Sequence, residues 1–266
     1  PSIANPHWIY PGQKIMVYKK EWMGKQKKKT PEKKPVAKPE KSYFTYEMID
    51  SVGFIRDPAV TPSGTLFKVS EDKALISESD RIYIKKGDGP PMKTGGLYTV
   101  YRTFEREKSS YGMASPGVQH YLTGVVAVTD AEADYVIANV VKAFRDIHEG
   151  DMVMPLVHRS PEIEIRDSVP GLSGNLLHTE ERNVLIGQYK LVFIDKGETD
   201  GVEKGQKYDI FHQETGQLEA GTRPIGLKPF KVGRLIVLHT EQNTATGLIT
   251  NSKRSLNPGD RIRCPR

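Results

Sequence analysis

Sliding the sequence along itself exposes an internal repeat, the feature that most constrains what this chain can fold into. Residues 55–101, IRDPAVTPSGTLFKVSEDKALISESDRIYIKKGDGPPMKTGGLYTVY, align without a gap on residues 165–211, IRDSVPGLSGNLLHTEERNVLIGQYKLVFIDKGETDGVEKGQKYDIF, at a constant shift of 110 positions. Ile55-Arg56-Asp57, Ser63-Gly64, Leu66, Glu71, Ile84, Lys86-Gly87, Gly95 and Tyr98 recur as Ile165-Arg166-Asp167, Ser173-Gly174, Leu176, Glu181, Ile194, Lys196-Gly197, Gly205 and Tyr208. After an insertion difference the match resumes between residues 123–153 and 232–262, pairing Gly124 with Gly233, Glu132 with Glu241, and Gly150-Asp151 with Gly259-Asp260. A gapless match of this length identifies a tandem duplication, so one small fold has to be satisfied twice.

Each copy reads as β. Arg81–Ile84 and Lys190–Ile194 are short apolar-alternating strands that end at Lys-Gly, where Gly87 and Gly197 can take positive φ. Leu97–Tyr101 and Lys207–Phe211 follow a second glycine, then come a hairpin insert, two further strands and a Gly-Asp turn before the last strand. Short, evenly spaced strands with glycine turns predict a barrel or compact sandwich. This grammar resembles SH3-like barrels, a likeness of fold that carries no function. The expected fold is therefore all-β in the main, a tandem duplication of a small SH3-like β-barrel or sandwich, with repeats at 42–158 and 159–266. The recurrent glycines and aliphatics read as turns and core, and Arg56-Asp57 with Glu71 as a buried or edge salt bridge. Residues 43–54 have no counterpart. Tyr46, Ile49 and Phe54 predict one face of a short helix, ended by Gly53 and packed onto the first barrel. The inserts 103–121 and 213–230 are Gly/Ser/Pro-rich excursions, long enough to be disordered or to order on a partner.

Ahead of the repeats stands PSIANPHWIYPGQKIMVY, which reads as a short helix, a Pro11-Gly12 turn and a strand over Lys14–Tyr18. A lone strand cannot pair or bury its face, so its partners are expected from residues that precede it. The pattern NP..I.PGQ.I.V over residues 1–18 resembles the close of a LysM domain, a βααβ module that holds the N-acetylglucosamine chains of peptidoglycan. That resemblance implies a partial glycan groove edge at Asn5, Ile9, Tyr10 and Pro11. With the opposite groove wall lacking, the chain alone is expected to hold peptidoglycan poorly.

The formal charge of +6 points toward nucleic acid until its location is considered. Residues 19–41, KKEWMGKQKKKTPEKKPVAKPEK, carry ten lysines against Glu21, Glu32 and Glu40, so the rest of the chain is close to neutral. Lysine without arginine, spaced by Pro31, Pro35 and Pro39, is the composition of a disordered, solvated linker. A nucleic-acid arm mixes in arginine and aromatics, so no nucleic-acid partner is expected. Twenty-three such residues span ~70 Å when drawn out as polyproline II.

Chemistry is hard to find. The seven histidines are scattered singly, with no metal-ligand spacing among them. Cys264, the one cysteine, can form no internal disulfide and has no histidine placed to activate it. Ser173-Gly174 lacks a nucleophile elbow, and its recurrence as Ser63-Gly64 marks a turn. In KKGDGPPMKTGG, Pro90 and Pro91 remove amide donors that a phosphate cradle would use. No catalytic residue, metal or cofactor is expected, and no run approaches the ~18 apolar residues of a membrane span.

The order LysM-like tail, Lys/Pro linker and duplicated β-domain resembles the secretin-associated LysM proteins of type IV pilus systems (the TsaP type). Ile186 to Lys190, then Lys196-Gly197, Gly201 and Gly205, are similar to parts of flagellar outer-membrane ring proteins of the FlgT type. The resemblance implies a periplasmic, non-enzymatic scaffold between two partners, peptidoglycan and an outer-membrane secretin ring, with copies in a ring-like multimer around the secretin. Two other functions fit the same order: a wall-binding scaffold of another envelope machine such as a flagellar ring, and a nucleic-acid module using the basic arm.

Overall fold

The computed structural model describes residues 41–73, 75–105, 116–182, 185–218 and 223–265. The LysM-like tail and nearly all of the linker lie outside them. Among the described residues there is no α-helix, only three single turns of 3-10 helix at Ile49–Ser51, Ser70–Asp72 and Glu198–Asp200. Everything else regular is strand. In chain order these are β1 (Tyr43–Thr45), β2 (Phe54–Arg56), β3 (Gly64–Val69), β4 (Arg81–Lys86), β5 (Leu97–Phe104), β6 (Val118–Ala131), β7 (Tyr135–Ala143) and β8 (Met152–Pro155). There follow β9 (Glu162–Glu164), β10 (Ser173–Thr179), β11 (Leu191–Ile194), β12 (Lys207–His212), β13 (Thr215–Gly216), β14 (Ile225–Gly226), β15 (Phe230–Thr240), β16 (Ala245–Ser252) and β17 (Arg261–Arg263).

The strands close into two six-stranded antiparallel barrels in tandem. The first runs β6-β5-β8-β3-β4-β7 and returns to β6, and the second runs β15-β12-β17-β10-β11-β16 and returns to β15. The orders are identical under the repeat, and so are the registers. Arg81 faces Asn139 as Leu191 faces Leu248, and Tyr98 faces Val126 as Tyr208 faces Leu235. Even the irregularities recur: β6–β7 slips at Val125/Val126 and Val128/Asp130, and β15–β16 at Arg234/Leu235 and Val237/His239. These bulges bend each long strand enough to close a small barrel. The fold is thus all-β, with closed barrels in place of an open sandwich.

Each core is the inward half of a period-2 pattern. In β4, Ile82 and Ile84 are buried while Arg81, Tyr83 and Lys85 point outward. Leu66, Ile84, Tyr98, Val126, Ile147 and Val153 fill barrel 1; Leu176, Ile194, Tyr208, Leu235, Leu256 and Ile262 fill barrel 2 at the matching positions. The recurrent Gly-Asp turns anchor a buried carboxylate. Asp151 accepts from Arg102 at 2.8 Å, and Asp260 pairs with His212 at 2.6 Å in the same place.

Three expectations are corrected. Gly87 and Gly197 are not left-handed; their neighbours leave no room for a side chain, since a Cβ would stand 2.6 Å from the Pro62 carbonyl and 2.3 Å from the Glu241 carbonyl. The positive φ falls instead on the next recurrent pair, Gly95 and Gly205. Residues 43–54 do not form a helix beyond the turn at Ile49–Ser51, a stretch too short to nucleate one against competing tertiary contacts. They pack on both barrels: Phe54 pairs with His120 of β6 and buries against Tyr101 and Leu122 of the first. β1 pairs with β9, and Ile49 and Val52 bury among Ile163, Ile236, Leu238 and Leu248 of the second repeat. Finally, Arg56 pairs with Glu241 of the other repeat rather than with Glu71. Of the inserts, the described part of 103–121 continues β5 and β6 as a long hairpin, and 213–230 carries the small β13–β14 hairpin.

Candidate functional site

Among the described residues, the densest buried polar chemistry lies where repeat 1 rests on barrel 2. β2 and the residue before it lie across the outer face of β10, β11 and β16. Leu177 and Phe193 project outward from barrel 2 and are buried by Ile55. Thr244 and Thr246 donate to the carbonyls of Ile55 and Gly53, at 2.6 and 2.7 Å. Glu180 accepts from the Gly53 amide at 2.6 Å and from Arg145 at 2.7 Å, while its own carbonyl takes a 2.6 Å bond from Gln119. Gly53 has to be glycine for this approach: a Cβ there would stand 2.4 Å from the His120 carbonyl and 2.5 Å from the Glu180 carboxylate.

Beside it runs a second buried group. Arg56 grips Glu241 with both ends of its guanidinium fork, at 2.7 and 2.8 Å, and its Cζ lies 4.9 Å over the Phe54 ring. His239 bonds the same carboxylate through Nε2 at 2.8 Å. A carboxylate only accepts, so Nε2 carries the proton and Nδ1 is a bare lone pair, buried with no hydrogen-bond partner. Protonating Nδ1 would bury an unpaired N–H, which is why burial pushes the His239 pKa down to about 4. His120 stacks on Phe54 at 4.6 Å and is neutral for a related reason. Its Nδ1 donates to the Val118 carbonyl at 3.0 Å and its Nε2 accepts from the Val60 amide at 3.1 Å, so a second proton has no place. Burial takes its pKa to about 4 as well.

The carboxylates diverge. Burial works against charge on both, but hydrogen bonds from His239 and Arg56 more than offset it at Glu241, held at about 2. At Glu180 burial wins over Arg145 and the Gly53 amide and lifts the carboxyl to about 7. Deeper in the seam, the Arg159 guanidinium donates to the Val52 carbonyl at 2.6 Å, and burial lowers its pKa. Two hollows open on these groups. One of about 550 Å³ is lined by Arg56, Asp57, Thr61, Glu241 and Asn243; another of about 400 Å³ by Asp50, His158, Arg159, Lys204 and His239.

Chemically this is a joint. Its charges face one another across two repeats, and its histidines are held neutral, His120 by backbone partners on both ring nitrogens and His239 by burial of its bare Nδ1. Among the described residues no three His, Cys, Asp or Glu side chains gather as metal ligands would. Cys264 Sγ lies near the Ser168 and Pro265 carbonyls. No described helix is long and apolar enough to cross a membrane. The glycan-edge residues Asn5, Ile9, Tyr10 and Pro11 lie outside the described residues. Glu180, Arg145, His120 and His239 are not singled out by sequence reasoning, whereas Arg56 and Glu241 are marked by their recurrence as Arg166 and Glu132. No family model and no curated protein matches the chain.

Proposed function

We propose that the chain is a non-enzymatic scaffold of the periplasm that anchors an outer-membrane secretin of a type IV pilus to peptidoglycan. The observation that carries this reading is the order of parts: a LysM-like ending, a Lys/Pro linker, and then two barrels joined into one body. The barrels, read as SH3-like, present strand faces and long hairpins for docking, while the linker spans the gap to the wall. The ion pairs that cross the joint, Arg56 to Glu241 and Arg145 to Glu180, support the reading because a tether under load needs its two β-domains to move together. Asn5, Ile9, Tyr10 and Pro11 would contribute one edge of the glycan groove.

The test is a pull-down from envelope extracts with residues 42–266 and, in parallel, with the whole chain. Retention of a secretin multimer by residues 42–266 supports docking through the barrels. Retention of a different envelope assembly, such as a flagellar ring, by both baits moves the scaffold to that machine and overturns the secretin assignment.

A further inference from the structure

The two hollows at the joint differ in how their charges are matched. In the one of about 550 Å³, Arg56 and Glu241 satisfy each other. The one of about 400 Å³ has cations left over. Arg159, from the connection between β8 and β9, and Lys204, from the turn before β12, line it together. The Arg159 guanidinium donates only to carbonyls, those of Val52 at 2.6 Å and Ile49 at 3.4 Å. Lys204 has no hydrogen bond or ion pair among the described residues.

The neighbouring carboxylates are already engaged. Asp50 accepts from the Arg159 amide at 3.2 Å and faces His158 at 3.6 Å, while Glu241 is held by Arg56 and His239. His239 lines the hollow as well, but it is neutral and adds no charge. Arg56, Arg159 and Lys204 thus stand against Asp50 and Glu241, an excess of one positive charge before any on His158. Burial and the charge of Arg159 both hold the Lys204 pKa below its ordinary value, as expected of an ammonium that faces a second cation. The barrel does not call for a lysine here, since the same position of the first repeat holds Thr94.

The rest of the wall is apolar, with Phe54, Val60, Leu122, Met154 and Leu156. Val157 and His158, both exposed, border the opening. The volume is that of a small-molecule site. We propose that this hollow binds a small organic acid, its carboxylate between Arg159 and Lys204 and its apolar body against Phe54, Leu122 and Met154. The planar guanidinium and the point charge of the ammonium can share one carboxylate, each as donor. A neutral or cationic amphiphile of the same shape would fill the apolar part and leave both cations unmet. The site belongs to the joint between the repeats and requires neither glycan nor secretin.

The probe is octanoate, added to the whole chain with carbon-13-labelled methionine methyls and followed by NMR. Met154 lines the hollow, Met92 lies in the barrel 1 core, and Met16 and Met23 belong to the tail and linker. Octanoate should shift the Met154 methyl saturably, with a Kd of about 0.1–1 mM, and leave Met92 in place. Octanol should bind about tenfold more weakly, and octylamine should not move Met154. Lys204→Gln changes an exposed side chain and should weaken octanoate about tenfold while leaving octanol unaltered. An unshifted Met92 establishes that the variant folds. A Met154 methyl unmoved at about 10 mM octanoate overturns the proposal. So does octanol or octylamine that matches octanoate, or a Lys204→Gln chain that binds octanoate like the parent. A shift confined to Met16 and Met23 assigns the attraction to the linker lysines and overturns it equally.

Discussion

The same outer face of the same barrel meets two fates in this molecule. On barrel 2 it holds Leu177, Phe193, Thr244 and Thr246, lies under β2, and is part of the protein interior. On barrel 1 the strands, register and bulges are the same, yet the face holds Phe67, Tyr83, Tyr135 and Ile137 and meets water. The contrast teaches that the backbone repeat fixes where a docking surface lies, while the side chains settle whether it is used internally. Aliphatic and hydroxyl groups suit a face that receives backbone carbonyls at close range. A cluster of aromatic rings framed by Lys68, Arg81 and Lys85 tolerates solvent and keeps the face available.

The largest test of that contrast pairs two residues at one repeat position. Phe193 is fully buried between the barrels, so Phe193→Ala should cost about 3–5 kcal/mol in urea unfolding of the chain. Tyr83→Ala removes half-buried ring contacts on the outer face and should cost about 1 kcal/mol. Equal costs would mean that the barrel 1 face is as structural as its counterpart and would remove the distinction.

A second test uses the protons of the joint. His120 has its pKa lowered to about 4 from an ordinary 6.5, so its contribution is fully present above 6.5 and is lost as pH falls through 4. The gap is worth about 3 kcal/mol at most, at 1.36 kcal/mol per pKa unit. His239 acts in the same direction over the same window, and Glu241 joins below 4.5 as pH falls toward 2. Glu180 acts in the opposite sense: raised to about 7, it favours the fold below 4.5 and loses that contribution as pH rises through 7. Stability measured by chemical unfolding should therefore fall from pH 6.5 to 4, and more steeply in Glu180→Gln, which lacks the opposing group. His120→Gln, which keeps a donor and an acceptor, should flatten the slope. Repeat 2 carries Pro229 at the position of His120, so it has no such proton to take up there.

The duplication explains how much of this was readable beforehand. Strand positions and both cores follow from period-2 alternation seen twice at a fixed shift, and no tertiary knowledge is needed for them. The joint is another matter. Recurrence marks Arg56 with Arg166 and Glu132 with Glu241, but it cannot say that Arg56 crosses to Glu241 while Arg166 pairs with Glu203 in its own repeat. That choice is made by a contact between residues 185 positions distant. Gly53 reads as a helix stop, and its actual use, letting the backbone approach Glu180, has no local signature. Glu180, His120 and His239 have no recurrent counterparts, so the signal that reveals the cores is silent on them. Ile49 and Val52 carry the right hydrophobicity for burial, but nothing local tells which barrel will receive them.

The finest distinction between the faces is two hydroxyls. Thr246 gives its proton to the Gly53 carbonyl at 2.7 Å, inside a contact closed to water, and the equivalent residue on barrel 1 is Ile137. Thr246→Val keeps the shape and leaves that carbonyl without the bond, which should cost about 1–2 kcal/mol of stability. Ile137→Thr, made on the half-exposed face, offers a hydroxyl with no internal carbonyl to receive it and should change stability by less than about 0.5 kcal/mol. Placed together in a double variant the two effects should add, because the sites share no partner. A cost for Ile137→Thr comparable to that of Thr246→Val would show that the barrel 1 face is as closed to water as its counterpart on barrel 2.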